Sequence, residues 1–119
     1  MATTFWRAYD AAMPHGSDPA DLGWPNEQLL AYGARTAAVE ADLSLVETPA
    51  RVFDDVEAAI GPVTALVLSH CQSVDSDIVG TTIASFDRHV AVNARASWLL
   101  VREFGWRFRD PRDRGGSLP

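Results

Sequence analysis

The sequence predicts an α/β fold built on an open parallel sheet, and the evidence is two short apolar runs separated by a helical pattern. The run 63–71 is rich in β-branched residues and follows Gly61-Pro62. A run of this length between turn residues is typical of a strand buried on both faces. A second run covers 36–41. Because ligands bind at the carboxyl ends of parallel strands, we expect a site near Asp42 and Ser69-His70-Cys71.

Composition limits the classes of partner. The 119 residues allow one domain, with 47% hydrophobic and 22% charged residues, which is ordinary for a globular protein. Ten basic and sixteen acidic residues give a net charge of −6, which disfavours nucleic acid and anionic membranes as partners. We predict neither of these partners.

A single cysteine excludes an internal disulfide framework and a cysteine-based zinc cluster. The three histidines lack ligand spacing, so we predict no metal site. No apolar run approaches the ~20 residues that span a bilayer. The start of the chain does not resemble a secretory signal, and we expect a cytoplasmic protein.

The other elements follow from their caps and periodicity. Residues 3–6 are a candidate strand end, and Pro25 and Gly33 are suited to open and close a short helix. Thr48 resembles an N-cap with Pro49 at the first helical position, which predicts a helix ending at Gly61. The strands are predicted at 35–41 and 63–69. We assign one domain to 1–110 and a disordered tail to 111–119.

The longest periodic pattern covers 84–108 and carries two apolar stripes. A helix that is apolar over more than half its circumference must cross the sheet and also meet a partner, or lie deep in a larger fold. One stripe contains Val92, Ala96, Leu99 and Leu100. The other contains Phe86, Val90, Asn93, Ala94, Ser97, Trp98, Val101, Phe104 and Phe108.

Several residues are candidates for chemistry, each with an ordinary structural alternative. Asp42 at a strand end is suited to a nucleotide site, and equally to a turn or cap. His70 and Cys71 are adjacent, but strand neighbours point to opposite faces and are poorly placed to exchange a proton. Asn93 is a polar amide within an apolar stripe, which indicates either a functional group or an amide bonded to neighbouring backbone.

Three segments carry a resemblance to a known family. They are Ala-Val-Glu-Ala-Asp-Leu at 38–43, Gly-Pro-Val-Thr-Ala-Leu-Val at 61–67 and Ser-Phe-Asp-Arg-His-Val-Ala-Val-Asn-Ala-Arg-Ala at 85–96. In order and spacing they resemble the short-chain dehydrogenase/reductase family over roughly residues 3–116. The segment 85–96, with its Val-Asn pair, is the most specific part.

The resemblance implies a partial Rossmann-like, doubly wound parallel sheet and a site for NAD or NADP. Asp42 and Leu43 would lie against the adenine, and Arg7 would contact the adenosine ribose or its phosphate. Asn93 resembles the asparagine of the family's catalytic tetrad, whose helix kink and backbone carbonyl hold a water in a proton relay. The helix 84–108 would form a homodimer interface.

The sequence departs from the family pattern at cofactor-binding and catalytic positions. Leu68-Ser69-His70-Cys71 stands where the family has Asn-Asn-Ala-Gly, so Ser69, His70 and Cys71 occupy cofactor-binding positions with altered side chains. Neither the glycine-rich phosphate loop nor the Ser and Tyr-x-x-x-Lys group is present. We therefore expect a truncated oxidoreductase without hydride transfer, or alternatively a non-catalytic interaction module that pairs through 84–108.

The first and later strands of the family sheet are also missing, and the first would lie between 3–6 and 63–69. Three outcomes are open. The two strands pair directly, a second chain fills the gap, or the chain is only marginally folded.

Overall fold

The structure, a computed structural model, describes residues 1–14, 16 and 26–108, in which helices flank a two-stranded sheet. The predicted tail 111–119 and the start of the helix expected at Pro25 lie outside the described residues. The elements are β1 (Ala2–Phe5), α1 (Arg7–Ala12), α2 (26–31), β2 (Ala37–Glu40), α3 (Thr48–Ile60), α4 (Ile83–His89), a π-helical segment (Val90–Arg95) and α5 (Ala96–Arg107).

The sheet confirms the predicted α/β class, because β1 and β2 run parallel. Ala2 lies opposite Ala37, and Phe5 lies opposite Glu40. The carbonyl of Phe5 accepts a hydrogen bond from the Ala41 amide at 2.8 Å, which extends the ladder beyond β2. The strands predicted near 3–6 and at 35–41 are therefore both present, each with four residues.

The prediction of a strand at 63–69 is wrong for the described chain, since residues 61–77 form neither helix nor ladder. Val63 and Leu66 pack against the core, but Val67 is 86% exposed. A strand requires a hydrogen-bonded neighbour. Here a groove of about 830 Å³ separates this segment from β1, so the direct pairing of the two segments does not occur.

The core lies between the sheet and two helices. Residues at and after β2 meet one face of α3 and one face of α5, and all are at least 91% buried: Val39, Ala41, Leu43, Val52, Phe53, Val56, Ala96 and Leu100. The helix α3 ends at Gly61, whose φ of 96° favours glycine. Its N-cap is Glu47 rather than the predicted Thr48, a shift of one residue.

The predicted long helix is present over Ile83–Arg107 but is interrupted by the π-helical segment. Thr82 caps it by accepting a hydrogen bond from the Ser85 amide at 3.1 Å. Of the two predicted stripes, Ala96, Leu99 and Leu100 are buried, whereas Phe86 and Trp98 are 62% and 59% exposed. The helix α1 was not predicted, because it buries no residue and so has no apolar periodicity.

Candidate functional site

The carboxyl edge of the sheet carries the candidate site, as the parallel topology predicts. The residues after β1, the residues after β2 and the loop 69–74 meet there. They enclose a cavity of about 250 Å³. Its walls include Trp6, Leu43, His70, Cys71 and Val92.

Asn93 fastens the loop to the π-helical segment. Its Oδ1 accepts from the Gln72 amide at 2.8 Å, and its Nδ2 donates to the Gln72 carbonyl at 2.9 Å. Gln72 is only 7% exposed. One side-chain amide thus satisfies both the amide and the carbonyl of this buried residue. Asn93 is therefore an amide bonded to backbone, which was the structural alternative in the sequence analysis. Its two hydrogen bonds position the loop beside the cavity.

Two further side chains hold the same loop. The Tyr9 hydroxyl accepts from the Ser73 amide at 3.1 Å. His89 Nε2 accepts from the Val74 amide at 3.1 Å, so the proton of the neutral ring is on Nδ1, which donates to the Ser85 carbonyl at 2.6 Å. The loop is consequently tied to α1, α4 and the π-helical segment through side chains.

His70 is used as a hydrogen-bond donor. Its Nε2 lies 2.9 Å from the Val92 carbonyl, which can only accept, and 3.2 Å from Ser97 Oγ. The Ser97 hydroxyl donates to the Asn93 carbonyl at 2.9 Å. Nε2 therefore carries the proton and cannot take one from Ser97. Cys71 is exposed and has no hydrogen bond in the described part of the chain, so no Cys–His nucleophile is formed.

Asp42 has a turn role in this structure. Its Oδ1 accepts from the Ser44 amide at 3.0 Å and from the Ser44 hydroxyl at 2.6 Å, which is an Asx-type turn. Arg88 Nη2 lies 3.5 Å from the same oxygen, close enough for an ion pair, but this buried nitrogen has no hydrogen bond. The Arg88 guanidinium also lies 4.5 Å from the Trp6 ring centroid. Arg88 thus links the residues that follow β1 and β2.

Arg7 is paired with Glu40 at the end of β2. Its Nη2 lies 2.8 Å from Glu40 Oε2, and both side chains are largely exposed. The hydrogen bond from Arg7 lowers the pKa of Glu40, and the same bond raises the pKa of Arg7. Arg7 does not line the 250 Å³ cavity.

The structure brings some of the predicted residues together and separates others. Leu43, His70 and Cys71 line one cavity, and Asn93 reaches it through Gln72. Ser69 faces the larger groove beside β1 instead. Tyr9, Gln72, Arg88 and His89 were not predicted, because their contacts join residues that are distant in sequence or involve backbone atoms.

The described residues contain no group of three or more His, Cys, Asp or Glu side chains placed to hold a metal ion. Among the helices in that part of the chain, none is long and apolar enough to cross a bilayer.

Comparison with known proteins identifies the fold. No protein-family model matches the chain. A short-chain dehydrogenase from Burkholderia cenocepacia, solved in complex with NADP, superposes with a TM-score of 0.75 over 90% of this chain at 19% identity. A short-chain dehydrogenase/reductase from Serratia marcescens gives 0.74 over 92% at 16% identity. The chain has the fold of the short-chain dehydrogenases/reductases. It covers 40% of each of those two chains.

A curated relative is described as an oxidoreductase. The uncharacterized oxidoreductase YjdA of Bacillus subtilis is 29% identical over 93 residues, which cover 76% of this chain and 37% of the relative. The resemblance to short-chain dehydrogenases/reductases found in the sequence is thus supported at the level of fold, for a chain that spans about 40% of its relatives.

Proposed function

We propose that this chain is part of an NAD(P)-dependent short-chain oxidoreductase, that it retains one wall of the dinucleotide site, and that it does not transfer hydride by itself. The observation that carries this proposal is the double hydrogen bond from Asn93 to Gln72, formed by a π-helical segment at the carboxyl edge. Such π-helical turns frequently occur at functional sites. The fold and the oxidoreductase relative support the same family.

The proposal assigns one end of a dinucleotide to residues that follow β1 and β2. We assign Asp42 and Leu43 to the adenine, and Arg7 to the ribose or its phosphate, which requires Arg7 to exchange Glu40 for the ligand. The cavity of about 250 Å³ is smaller than the roughly 300–1,000 Å³ of typical ligand pockets. A whole NAD or NADP therefore does not fit within it.

The lack of hydride transfer follows from the available proton donors. Reduction of a carbonyl needs a positioned acid at its oxygen. The 119 residues contain no lysine, so a Tyr-x-x-x-Lys pair is absent from them. Of the two tyrosines, Tyr9 binds the backbone of Ser73 through its hydroxyl. We infer that any catalytic role of Asn93 requires groups from outside these residues.

Energy transfer from tryptophan to NADPH tests the binding half of the proposal. Trp6 lines the cavity, so bound NADPH should quench its emission. We expect Asp42→Ala to weaken the quenching several-fold, because it removes the carboxylate assigned to the adenine and the turn that positions Leu43 at the cavity. The matched control is Asp55→Ala, which lies on α3 and pairs with Arg51. Equal quenching in both variants, or none in the parent, would contradict the assignment.

A second candidate function is a homodimerising module that pairs through the helix 84–108. The observation in its favour is an outward face with large exposed apolar side chains: Ile83 at 81%, Phe86 at 62%, Val90 at 47%, Trp98 at 59% and Val101 at 53%. Large apolar side chains exposed along one helix favour an interaction surface. The cytoplasmic location expected from the sequence stays a prediction.

Sedimentation equilibrium separates this candidate from a monomer. We expect the parent chain to sediment as a dimer and Phe86→Glu to sediment as a monomer. Ile78→Glu is the control, because Ile78 is 95% exposed but lies outside the helix. A monomeric parent, or equal dissociation by both variants, would exclude the dimerising face.

A further inference from the structure

The loop 72–74 is held by side chains at three consecutive residues, and not by a backbone ladder. Each of these residues is bonded through its backbone to a side chain from another element, which is in turn Asn93 of the π-helical segment, Tyr9 of α1 and His89 of α4. The loop forms part of the wall of the cavity at the carboxyl edge. The position of that wall therefore depends on these three side chains.

Only one of the three side chains changes its charge near neutral pH. An asparagine amide does not titrate in water, and a tyrosine hydroxyl ionises only in alkaline solution. A histidine ring gains a proton between about pH 8 and pH 5. Among the three contacts, the one made by His89 is consequently the one that acid can change.

The geometry at His89 requires a neutral ring. The Val74 amide can only donate, so the ring nitrogen Nε2, which lies 3.1 Å from it, carries no proton. The other ring nitrogen, Nδ1, donates to the Ser85 carbonyl at 2.6 Å. Protonation would place an N–H group on Nε2 directly opposite the N–H group of Val74. Two donors cannot bond to each other, so the contact exists only while the ring is neutral.

The second hydrogen bond of the ring decides which part of the molecule moves. The bond from Nδ1 to the Ser85 carbonyl lies within α4 and is compatible with both charge states of the ring. A charged donor makes this bond roughly twice as strong as a neutral one. The protonated ring therefore stays on α4, and the loop is the side that separates.

The charged groups on the surrounding elements do not compensate a charge on His89. Within the described residues no ion pair includes its ring. Arg88 approaches Asp42, and Arg95 donates to the Ser44 carbonyl. The other ionisable side chains of the loop 69–82, of α1 and of α4 are those of Arg7, Tyr9, Asp10, His70, Cys71, Asp75, Asp77 and Asp87.

His70 responds to acid in the opposite way. Its Nε2 already carries a proton and donates to the Val92 carbonyl at 2.9 Å. Its Nδ1 has no hydrogen bond in the described part of the chain. A second proton would enter at Nδ1 and leave the existing bond intact. His70 thus provides an internal control for His89.

We propose that His89 is a pH-sensitive switch, which holds the loop 72–74 at Val74 while its ring is neutral and releases the loop when its ring is protonated. Asn93 retains Gln72 in both states, so the release loosens the wall of the cavity without detaching it. The proposal goes beyond the oxidoreductase assignment, because it concerns how the wall is held and does not depend on what the cavity binds.

Amide hydrogen exchange tests the proposal, measured by NMR magnetisation transfer, which detects the fast exchange of loop amides. Each rate is divided into that of an unstructured peptide at the same pH, which gives a protection factor. We expect the protection factor of Val74 to fall roughly three- to tenfold between about pH 7.5 and about pH 5.5. The amide of Val56, which is in the core on α3, should keep its protection factor.

Two matched variants assign the effect to one histidine. His89→Gln has no titratable ring, so its Val74 protection factor should be the same at both pH values. His70→Gln keeps a donor for the Val92 carbonyl and should show the same fall at Val74 as the parent chain.

The ring nitrogens of the parent chain provide a measurement that needs no variant. At about pH 8, where both rings are neutral, ¹⁵N chemical shifts should place the proton of His89 on Nδ1 and the proton of His70 on Nε2. This result is obtained even if His89→Gln fails to fold.

Four outcomes would overturn the proposal. The first is an unchanged Val74 protection factor in the parent chain, and the second is an equal fall in His89→Gln. The third is a proton on Nε2 of His89 at about pH 8. The fourth is a parallel fall at Val56, which would indicate that acid destabilises the whole fold. NADPH quenching measures none of these quantities, so a failure of the dinucleotide assignment is distinguishable from a failure of the switch.

Discussion

The Asn93 amide makes the pair of backbone hydrogen bonds that a neighbouring strand would otherwise make. It donates and accepts one hydrogen bond each with the backbone of Gln72. That exchange of two hydrogen bonds resembles one rung of a sheet. The loop at the carboxyl edge is consequently fixed by a helix rather than by a ladder.

The first prediction concerns this amide. Asn93→Ala leaves the buried Gln72 amide and carbonyl without partners, so the free energy of unfolding should fall by about 1–3 kcal/mol. Hydrogen exchange at Gln72 should accelerate in parallel. Asp87→Ala, on the exposed side of α4, is the control and should change stability by less than about 0.5 kcal/mol. Unchanged exchange at Gln72 in Asn93→Ala would contradict the role assigned to the amide.

The second prediction concerns pH and the Arg7–Glu40 pair. The bond from Arg7 lowers the pKa of Glu40 below its ordinary value of 4.5. The Arg7–Glu40 pair therefore stabilises the fold fully above the ordinary pKa of glutamate, and this stabilisation is lost as the pH falls through the lowered pKa of Glu40. Glu40→Gln should be less stable than the parent at pH 7, and the difference should disappear once the pH is below the lowered pKa of Glu40, as measured by urea unfolding across the acid range. A difference that persists at low pH would show that the ion pair is not its source.

The candidate site was predictable only where a residue is unusual in its own context. Asn93 stands out because it is polar within an apolar stripe, and Asp42 because it follows a strand. Gln72 gives no such signal, since its backbone forms the contact. Arg88 was read as part of a family motif, and its approach to Trp6 and Asp42 depends on tertiary structure.

At the scale of elements, periodicity and caps identified α3 and the long helix 83–107 but not α1, and the segment 63–70 shows where an apolar pattern fails to predict a strand. Its composition is that of a buried strand, yet a strand exists only when a neighbour accepts its hydrogen bonds. The π-helical segment was also not predicted from periodicity, because its hydrogen bonds leave an apolar stripe almost unchanged. The family resemblance did imply a kink near Asn93.

Val52 and Val67 both lie in segments that the sequence predicts to be buried, and the third prediction compares them. Val52 on α3 is 6% exposed, and Val67 is 86% exposed. Val52→Ala should lower the free energy of unfolding by about 1.5–3 kcal/mol, whereas Val67→Ala should change it by less than about 0.5 kcal/mol. Thermal or urea unfolding of the two variants measures both values. A large loss in Val67→Ala would indicate that 63–70 is a buried strand after all.

At the scale of the whole molecule, the α/β class and a parallel sheet were predictable from the alternation of strand and helix patterns, although the parallel neighbour of β2 is β1 and not the segment after α3. The sequence left three outcomes for the gap, because it does not show whether two strand edges can close it, and the open groove excludes the direct pairing.

We propose that these 119 residues carry part of a short-chain oxidoreductase fold and do not transfer hydride by themselves. NADPH oxidation by the purified chain tests this, with a panel of ketones and aldehydes and a sample whose near-ultraviolet circular dichroism shows folded tryptophans. We expect a rate equal to that of buffer alone. A carbonyl-dependent rate that rises in proportion to protein concentration and is lost in Asn93→Ala would contradict it.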